Sequence, residues 1–103
     1  MPRTVTIDVT NEDIDESKEM CMATQKWGYD CAIARAASRV IGTKCQVSFF
    51  FIYYAQKGLN LKSTHMPIEG SLYVQAFDNW ALGNTDTRPD PISFEVTLDN
   101  DDV

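Results

Sequence analysis

The three cysteines and the single histidine are the residues of this chain with the most distinctive chemistry. Cys31 stands at the predicted start of a helix, where oriented backbone amides lower the pKa of a thiol and can create a nucleophile. A catalytic thiol also needs a base within hydrogen-bond reach, and His65 lies far along the chain in a predicted loop. Asp30, next to Cys31, favours the neutral thiol. We therefore interpret Cys31 as a buried packing residue, and a small enzyme or redox protein that uses Cys31 is the alternative.

A zinc site would require Cys21, Cys31, Cys45 and His65 to converge. None of these residues belongs to a Cys-x-x-Cys knuckle, and Cys45 opens a predicted strand. An odd number of cysteines in a chain without an export signal favours free thiols over a disulfide framework. We predict three free, mostly buried thiols, with no metal and no cofactor.

Carboxylates are abundant, and Glu12, Asp13, Asp15 and Glu16 crowd one short predicted helix. General acid–base catalysis requires a carboxyl group in an apolar pocket with a raised pKa, and this spacing does not indicate such a pocket. The chain also contains no Gly-rich phosphate loop, no Gly-x-Ser-x-Gly motif and no nucleic-acid-binding module. We predict no catalytic residues and treat these four acids as candidate partner-binding residues.

Charge is distributed unevenly along the chain, whose net charge is −6. Residues 8–19 carry −5, residues 26–62 carry +5 and residues 69–102 carry −7. We predict that the acidic segments 8–19 and 86–102 meet on one side, opposite a basic helix over 30–42. Such an acidic surface would attract a basic protein and repel nucleic acid; a surface on which both signs are mixed is the alternative.

Periodicity predicts a two-layer α+β domain spanning residues 1–103, with the order β-α-α-β-β-α-β and a frayed acidic tail at about 99–103. Its roughly four strands would form a mostly antiparallel or mixed sheet. No apolar run has the length of a signal peptide core or a membrane span, so we expect a cytoplasmic protein that does not enter membranes.

The predicted elements are a strand Arg3–Val9, a Thr10-capped helix 11–17, a loop 18–29, a helix 30–42 capped by Asp30 and ended by Gly42, a strand 45–54, a turn 56–58, a strand 59–64, a helix from Pro67 to Gly83 and a strand 92–98.

The segment QVSFFFIYYAQKG, residues 46–58, would carry apolar side chains on both faces of a strand. We expect the face with Val47, Phe49 and Phe51 to meet the helices. The other face, with Phe50, Ile52 and Tyr54, would then form an apolar island on a polar sheet surface. Either the loop 18–29 covers this island, or the island is a surface for self-association or for a partner.

Several short blocks occur in order along the chain: VTNEDI at 9–14, CAIARA at 31–36, MPIEG at 66–70, FD at 77–78 and PISFEV at 91–96. This series of blocks resembles a family of small uncharacterised proteins encoded by phages and prophages. The resemblance implies a phage origin and a role in host takeover, defence evasion or phage physiology. Together with the composition, it predicts a non-enzymatic protein that binds and modulates a host or phage protein in the host cytoplasm. A minor virion or assembly component is a further alternative, and the chain could also form a homodimer.

Overall fold

A computed structural model describes residues 3–55 and 61–98. In these ranges the elements are β1 (Arg3–Val9), α1 (Asn11–Thr24), α2 (Trp27–Asp30), α3 (Ala32–Ile41), β2 (Gln46–Val47), β3 (Phe51–Ala55), β4 (Leu61–His65), α4 (Ile68–Ala81) and β5 (Ile92–Leu98). The predicted α+β class and the order of the main elements are confirmed. The predicted turn at 56–58 and the tail at 99–103 lie outside the described residues.

The strands form two antiparallel sheets. β1 pairs with β5 along its whole length, from Arg3 opposite Leu98 to Val9 opposite Ile92. The second sheet has the order β2-β3-β4. β4 lies beside β5, where the Thr64 hydroxyl donates to the carbonyl of Thr97 at 2.6 Å. The two sheets therefore form one side of the domain.

The helices cover one face of the strands. Ile7 and Val9 on β1, with Phe94 and Val96 on β5, are buried, while the alternating Thr, Asp, Ser and Glu side chains are exposed. α3 packs on β1 and on α1. Its alanines have almost no exposed surface and allow this close approach. α4 contributes the predicted stripe, with Phe77 1 % exposed and Trp80 half-buried against the core.

α1 extends to Thr24, so the prediction of a helix ending at residue 17 and a loop over 18–29 is wrong. The residues that α1 buries after its first turn are Ile14, Ser17 and Cys21, at helical spacing. Because two of these three are small or polar, the stripe produces no hydrophobic period. The predicted Thr10 cap is confirmed: its hydroxyl accepts from the Asp13 amide at 3.2 Å, and the Asp13 carboxylate accepts from the Thr10 amide at 3.0 Å.

Cys31, not Asp30, caps α3. The Cys31 Sγ accepts from the amide of Ala34 at 3.4 Å. Asp30 instead ends the short helix α2 and accepts a hydrogen bond from the Thr24 hydroxyl at 2.6 Å. Gly42 ends α3 as predicted, with a left-handed φ of 92° that costs glycine little.

The predicted aromatic strand 45–54 is broken in the middle. β2 and β3 pair with each other through Gln46–Tyr53 and Val47–Ile52, and the Ser48 amide donates to the Phe51 carbonyl at 2.9 Å. The segment is therefore a tight hairpin with Phe49 and Phe50 at its tip. Such turns usually carry Asn-Gly or another residue with positive φ, and neither phenylalanine has one. The sequence consequently contains no signal for this turn.

Candidate interaction surface

The three thiols are free and buried, as predicted. Burial raises the pKa of Cys31 to about 12, despite the backbone amides that favour its thiolate. Burial likewise raises the pKa of Cys21 to about 12 and raises that of Cys45. His65 is exposed, and its ring packs on Phe51 with centroids 4.5 Å apart. At neutral pH these thiols are protonated, which is the opposite of what a cysteine nucleophile requires.

Across residues 3–55 and 61–98, no group of three or more histidine, cysteine or acidic side chains is arranged to hold a metal ion. Within the same ranges, no helix combines the length and the apolar character needed to cross a membrane.

Asp13 is the centre of a buried polar cluster rather than a surface residue. Its side chain is 1 % exposed, and it accepts from Arg39 Nη1 at 2.9 Å, from Arg39 Nη2 at 2.8 Å and from Arg35 Nε at 3.1 Å. Burial raises the pKa of this carboxyl group, but the hydrogen bonds from Arg39 and from Thr10 outweigh burial and lower the pKa to about 2. Asp13 thus joins α1 to α3 and is not available to a partner.

The other acids of α1 lie at the surface. Glu16 is paired with Arg35, Asp15 with Arg88 at 3.0 Å, and Glu12 is exposed. The prediction that the basic helix lies opposite the acidic segment is therefore wrong, because α3 packs on α1 and the arginines of α3 bind its carboxylates. Opposite charges of these two helices are therefore paired, and the separation of charge along the chain does not persist in space.

The predicted apolar island of Phe50, Ile52 and Tyr54 exists only at Phe50. Ile52 and Tyr54 are 0 % and 3 % exposed, whereas Phe50 is 64 % exposed. The expectation that Phe49 and Phe51 face the helices is also wrong: Phe49 is exposed and Phe51 is half-buried. The hairpin turn separates the two halves of the segment, so the side-chain alternation of β2 does not continue through Phe49 and Phe50 into β3.

We call Phe49 and Phe50 the aromatic tip. Their rings lie 6.2 Å apart, and both carbonyls are held by the region where α4 begins. The Phe50 carbonyl accepts from the amide of Met66 at 2.8 Å, and the Phe49 carbonyl accepts from the Ser71 hydroxyl. The backbone of the tip is thus fixed while its two side chains remain in solvent.

Two further exposed apolar residues flank the contact between the tip and α4. Ile68 and Leu72 are 71 % and 58 % exposed and stand four residues apart on one helix face, next to Ser71. We call Phe49, Phe50, Ile68 and Leu72 the tip surface. The hydrogen bonds from Met66 and Ser71 to the tip bring these four exposed apolar residues into one region of the domain, which makes them candidate interaction residues.

A cleft adjoins the tip surface and shares Phe49 with it. We call it the Asp78 cleft; its volume is about 230 Å³, and it is lined by Trp27, Gly28, Cys31, Val47, Ser48, Phe49, Val74 and Asp78. Burial raises the pKa of Asp78. No described residue forms a hydrogen bond or an ion pair with the Asp78 carboxylate, and its described lining includes no lysine or arginine.

Sequence reasoning missed Asp78, although a signal for it exists. Asp78 stands four residues after Val74 and next to Phe77, so it falls on the apolar face of α4. A charged residue on such a face requires either a partner or a function. The exposure of Phe49 had no comparable signal, because it depends on a turn that the residue types do not indicate.

No protein-family model, no curated protein and no solved structure matches the chain.

Proposed function

We propose that this chain is a non-enzymatic interaction protein of phage type, which binds and modulates a host or phage protein through its tip surface. The observation that carries the proposal is the aromatic tip: two adjacent phenylalanines, 46 % and 64 % exposed, stand on a backbone whose carbonyls both accept hydrogen bonds from the region where α4 begins. An apolar anchor that is already ordered loses less conformational entropy when it binds. Buried aromatic side chains also contribute strongly to protein–protein affinity.

The resemblance to phage proteins supports a role in host takeover or in the inhibition of a host defence. An acidic surface on α1 that imitates nucleic acid is another means by which such a protein could bind a basic partner, and it receives less support from the geometry. Asp13 is buried, and Asp15 and Glu16 are paired with arginines of the same chain. The candidate acidic residues of α1 therefore present little unpaired charge beyond Glu12. We place the partner contact at the tip surface and not on α1.

The central experiment is an affinity capture from phage-infected host cells with three tagged proteins. These are the unchanged chain, the double variant Phe50→Ser/Leu72→Ser, and the control Leu82→Ser. Leu82 is as exposed as Leu72, at 55 %, but lies at the opposite end of α4. We expect one partner to be retained by the unchanged chain and the control and lost by the double variant. Equal capture by all three proteins would overturn the assignment of the tip surface.

Sedimentation of the same three purified proteins separates a second copy of this chain from a different partner. A dimer that dissociates only in the double variant would make the tip surface a homodimer interface, contrary to the proposal. The presence of the protein in purified phage particles would instead favour the minor virion component.

The cysteine-dependent enzyme can be tested directly by alkylation of the native protein with iodoacetamide at neutral pH. Cys31 is 5 % exposed and its pKa is raised to about 12, so we expect it to be inert until the protein unfolds. Rapid modification of Cys31 in the folded protein would favour the enzyme over the interaction protein.

A further inference from the structure

The Asp78 cleft has the composition of a receptor for a single cationic side chain. A carboxylate and two aromatic residues, Trp27 and Phe49, line one small space. Its volume of about 230 Å³ lies below the roughly 300–1,000 Å³ typical of small-molecule sites. The cleft therefore suits the end of a side chain better than a whole cofactor.

Asp78 is the unusual feature of this cleft. Burial penalises its charged form and raises its pKa. Asp78 is half-buried. A carboxylate with reduced access to water is normally paired, yet no other described residue pairs with it. A cation that entered the cleft would supply the missing partner and would restore the electrostatic stabilisation that burial removes.

We propose that the Asp78 cleft receives the guanidinium group of an arginine that the partner protein presents beside the aromatic tip. This inference rests on the proposed function, because it names the chemistry of the partner at that same surface. A guanidinium is planar, binds a carboxylate through two N–H groups and stacks on aromatic faces, whereas an ammonium is a compact and strongly hydrated charge. Aromatic rings attract a cation further, and Trp27 and Phe49 both line the cleft.

Other occupants fit the cleft less well. A divalent metal ion takes several oxygen ligands, and Asp78 is the only carboxylate of the described lining. An anion would meet an unpaired acid in a chain whose net charge is −6. The same net charge favours the approach of a basic partner over long distances.

The test is an NMR titration of the full-length ¹⁵N-labelled chain with N-acetyl-arginine amide at millimolar concentration. N-acetyl-citrulline amide, which has nearly the same shape without the charge, and N-acetyl-lysine amide are the comparison ligands. We expect the arginine compound to shift amide signals of Trp27, Gly28 and Phe49, and to bind at least about tenfold more tightly than citrulline. Equal binding of arginine and citrulline, or of arginine and lysine, would overturn the proposal.

Two variants complete the test. Asp78→Asn should bind the arginine compound no better than the citrulline compound, while Glu69→Gln, an exposed acid on the same helix, should bind arginine like the unchanged chain. Retention of arginine binding by Asp78→Asn would refute the role of the cleft. The same affinity capture separates this inference from the proposed function. A partner that is lost by Phe50→Ser/Leu72→Ser but fully retained by Asp78→Asn would leave the tip surface as the binding site and show that the cleft is not part of it.

Discussion

Two carboxyl groups, Asp13 on α1 and Asp78 on α4, differ in burial and in surroundings: Asp13 is buried and Asp78 is half-buried. Asp13 accepts hydrogen bonds from Arg39, Arg35 and the Thr10 amide, and its pKa falls to about 2. Asp78 has no such partner among the described residues, and burial raises its pKa. The same type of side chain therefore stabilises the fold at one site and weakens it at the other. An acid of the second kind that lines a cleft is a candidate functional residue.

Among these predictions, the largest loss of stability should follow from the change Asp13→Asn. This change removes the negative charge between Arg35 and Arg39 and weakens the hydrogen bond that the Thr10 amide donates to residue 13 in the cap of α1. We expect the free energy of unfolding to fall by about 2–4 kcal/mol, since the change weakens several charge-assisted hydrogen bonds to a buried carboxylate together with the cap of α1. Urea denaturation measures this loss.

Asp15→Asn is the matched control for that experiment. Asp15 is also an acid of α1 that is paired with an arginine, but its side chain is 64 % exposed. Exposed pairs contribute little, so the control should change the unfolding free energy by no more than about 0.5 kcal/mol. Equal losses in both variants would show that Asp13 has no special role.

The second prediction concerns pH. The pKa of Asp13 is lowered from 3.8 to about 2 on folding, so the folded state binds its proton less readily than the unfolded state. The resulting stabilisation is complete above the unfolded value and is lost as the pH falls from about 4 to about 2. Between pH 4 and pH 2 the unchanged chain should therefore lose about 1–2 kcal/mol more unfolding free energy than Asp13→Asn does. This figure is smaller than the full shift implies because the arginines are half-exposed. Identical pH profiles for the two proteins would contradict the assignment.

Much of the fold could be predicted from residue patterns, because β1, β5 and α3 have an apolar period that matches their secondary structure, and the boundaries of α4 are indicated by Pro67 and Gly83. The end of α1 could not be predicted, since its buried face contains Ser17 and Asp13 in place of apolar residues. A helix that is held by ion pairs to another helix has no hydrophobic signal of its own.

The candidate site was harder to predict than the fold. Sequence patterns indicated that residues 46–54 contain surplus apolar side chains, and the exposure of Phe50 agrees with that expectation. The choice of which side chains are exposed depended on the turn at Phe49 and Phe50, which contains neither glycine nor asparagine. The Asp78 cleft depends on contacts between α2, β2 and α4, which no local pattern reports.

The third prediction is an increase in the unfolding free energy, whereas the first is a decrease. Asp78→Asn removes a charge that burial disfavours, so it should increase the unfolding free energy at neutral pH. The gain should be at most about 1 kcal/mol, because the side chain is partly solvated. The pKa of Asp78 is raised in the folded state, so its charge destabilises the fold at high pH and ceases to do so as the pH falls through that pKa. The increase in unfolding free energy caused by Asp78→Asn should therefore become smaller at low pH. Thermal denaturation at several pH values measures both effects, and a variant less stable than the unchanged chain at neutral pH would show that Asp78 has a structural partner.

The smallest expected effect on stability belongs to the aromatic tip, and it decides whether the tip is a surface or part of the core. Phe50→Ser should change the unfolding free energy by no more than about 0.5 kcal/mol, because Phe50 is 64 % exposed and its backbone contacts do not depend on its side chain. Ile52→Thr, two residues away, should cost about 2 kcal/mol or more, since Ile52 is fully buried and the threonine hydroxyl would lack a partner there. Measured side by side in urea, the two variants separate the exposed end of the segment from its buried end. A large loss of stability in Phe50→Ser would mean that the phenylalanine ring packs against the domain in solution, and the tip surface would then lose its anchor.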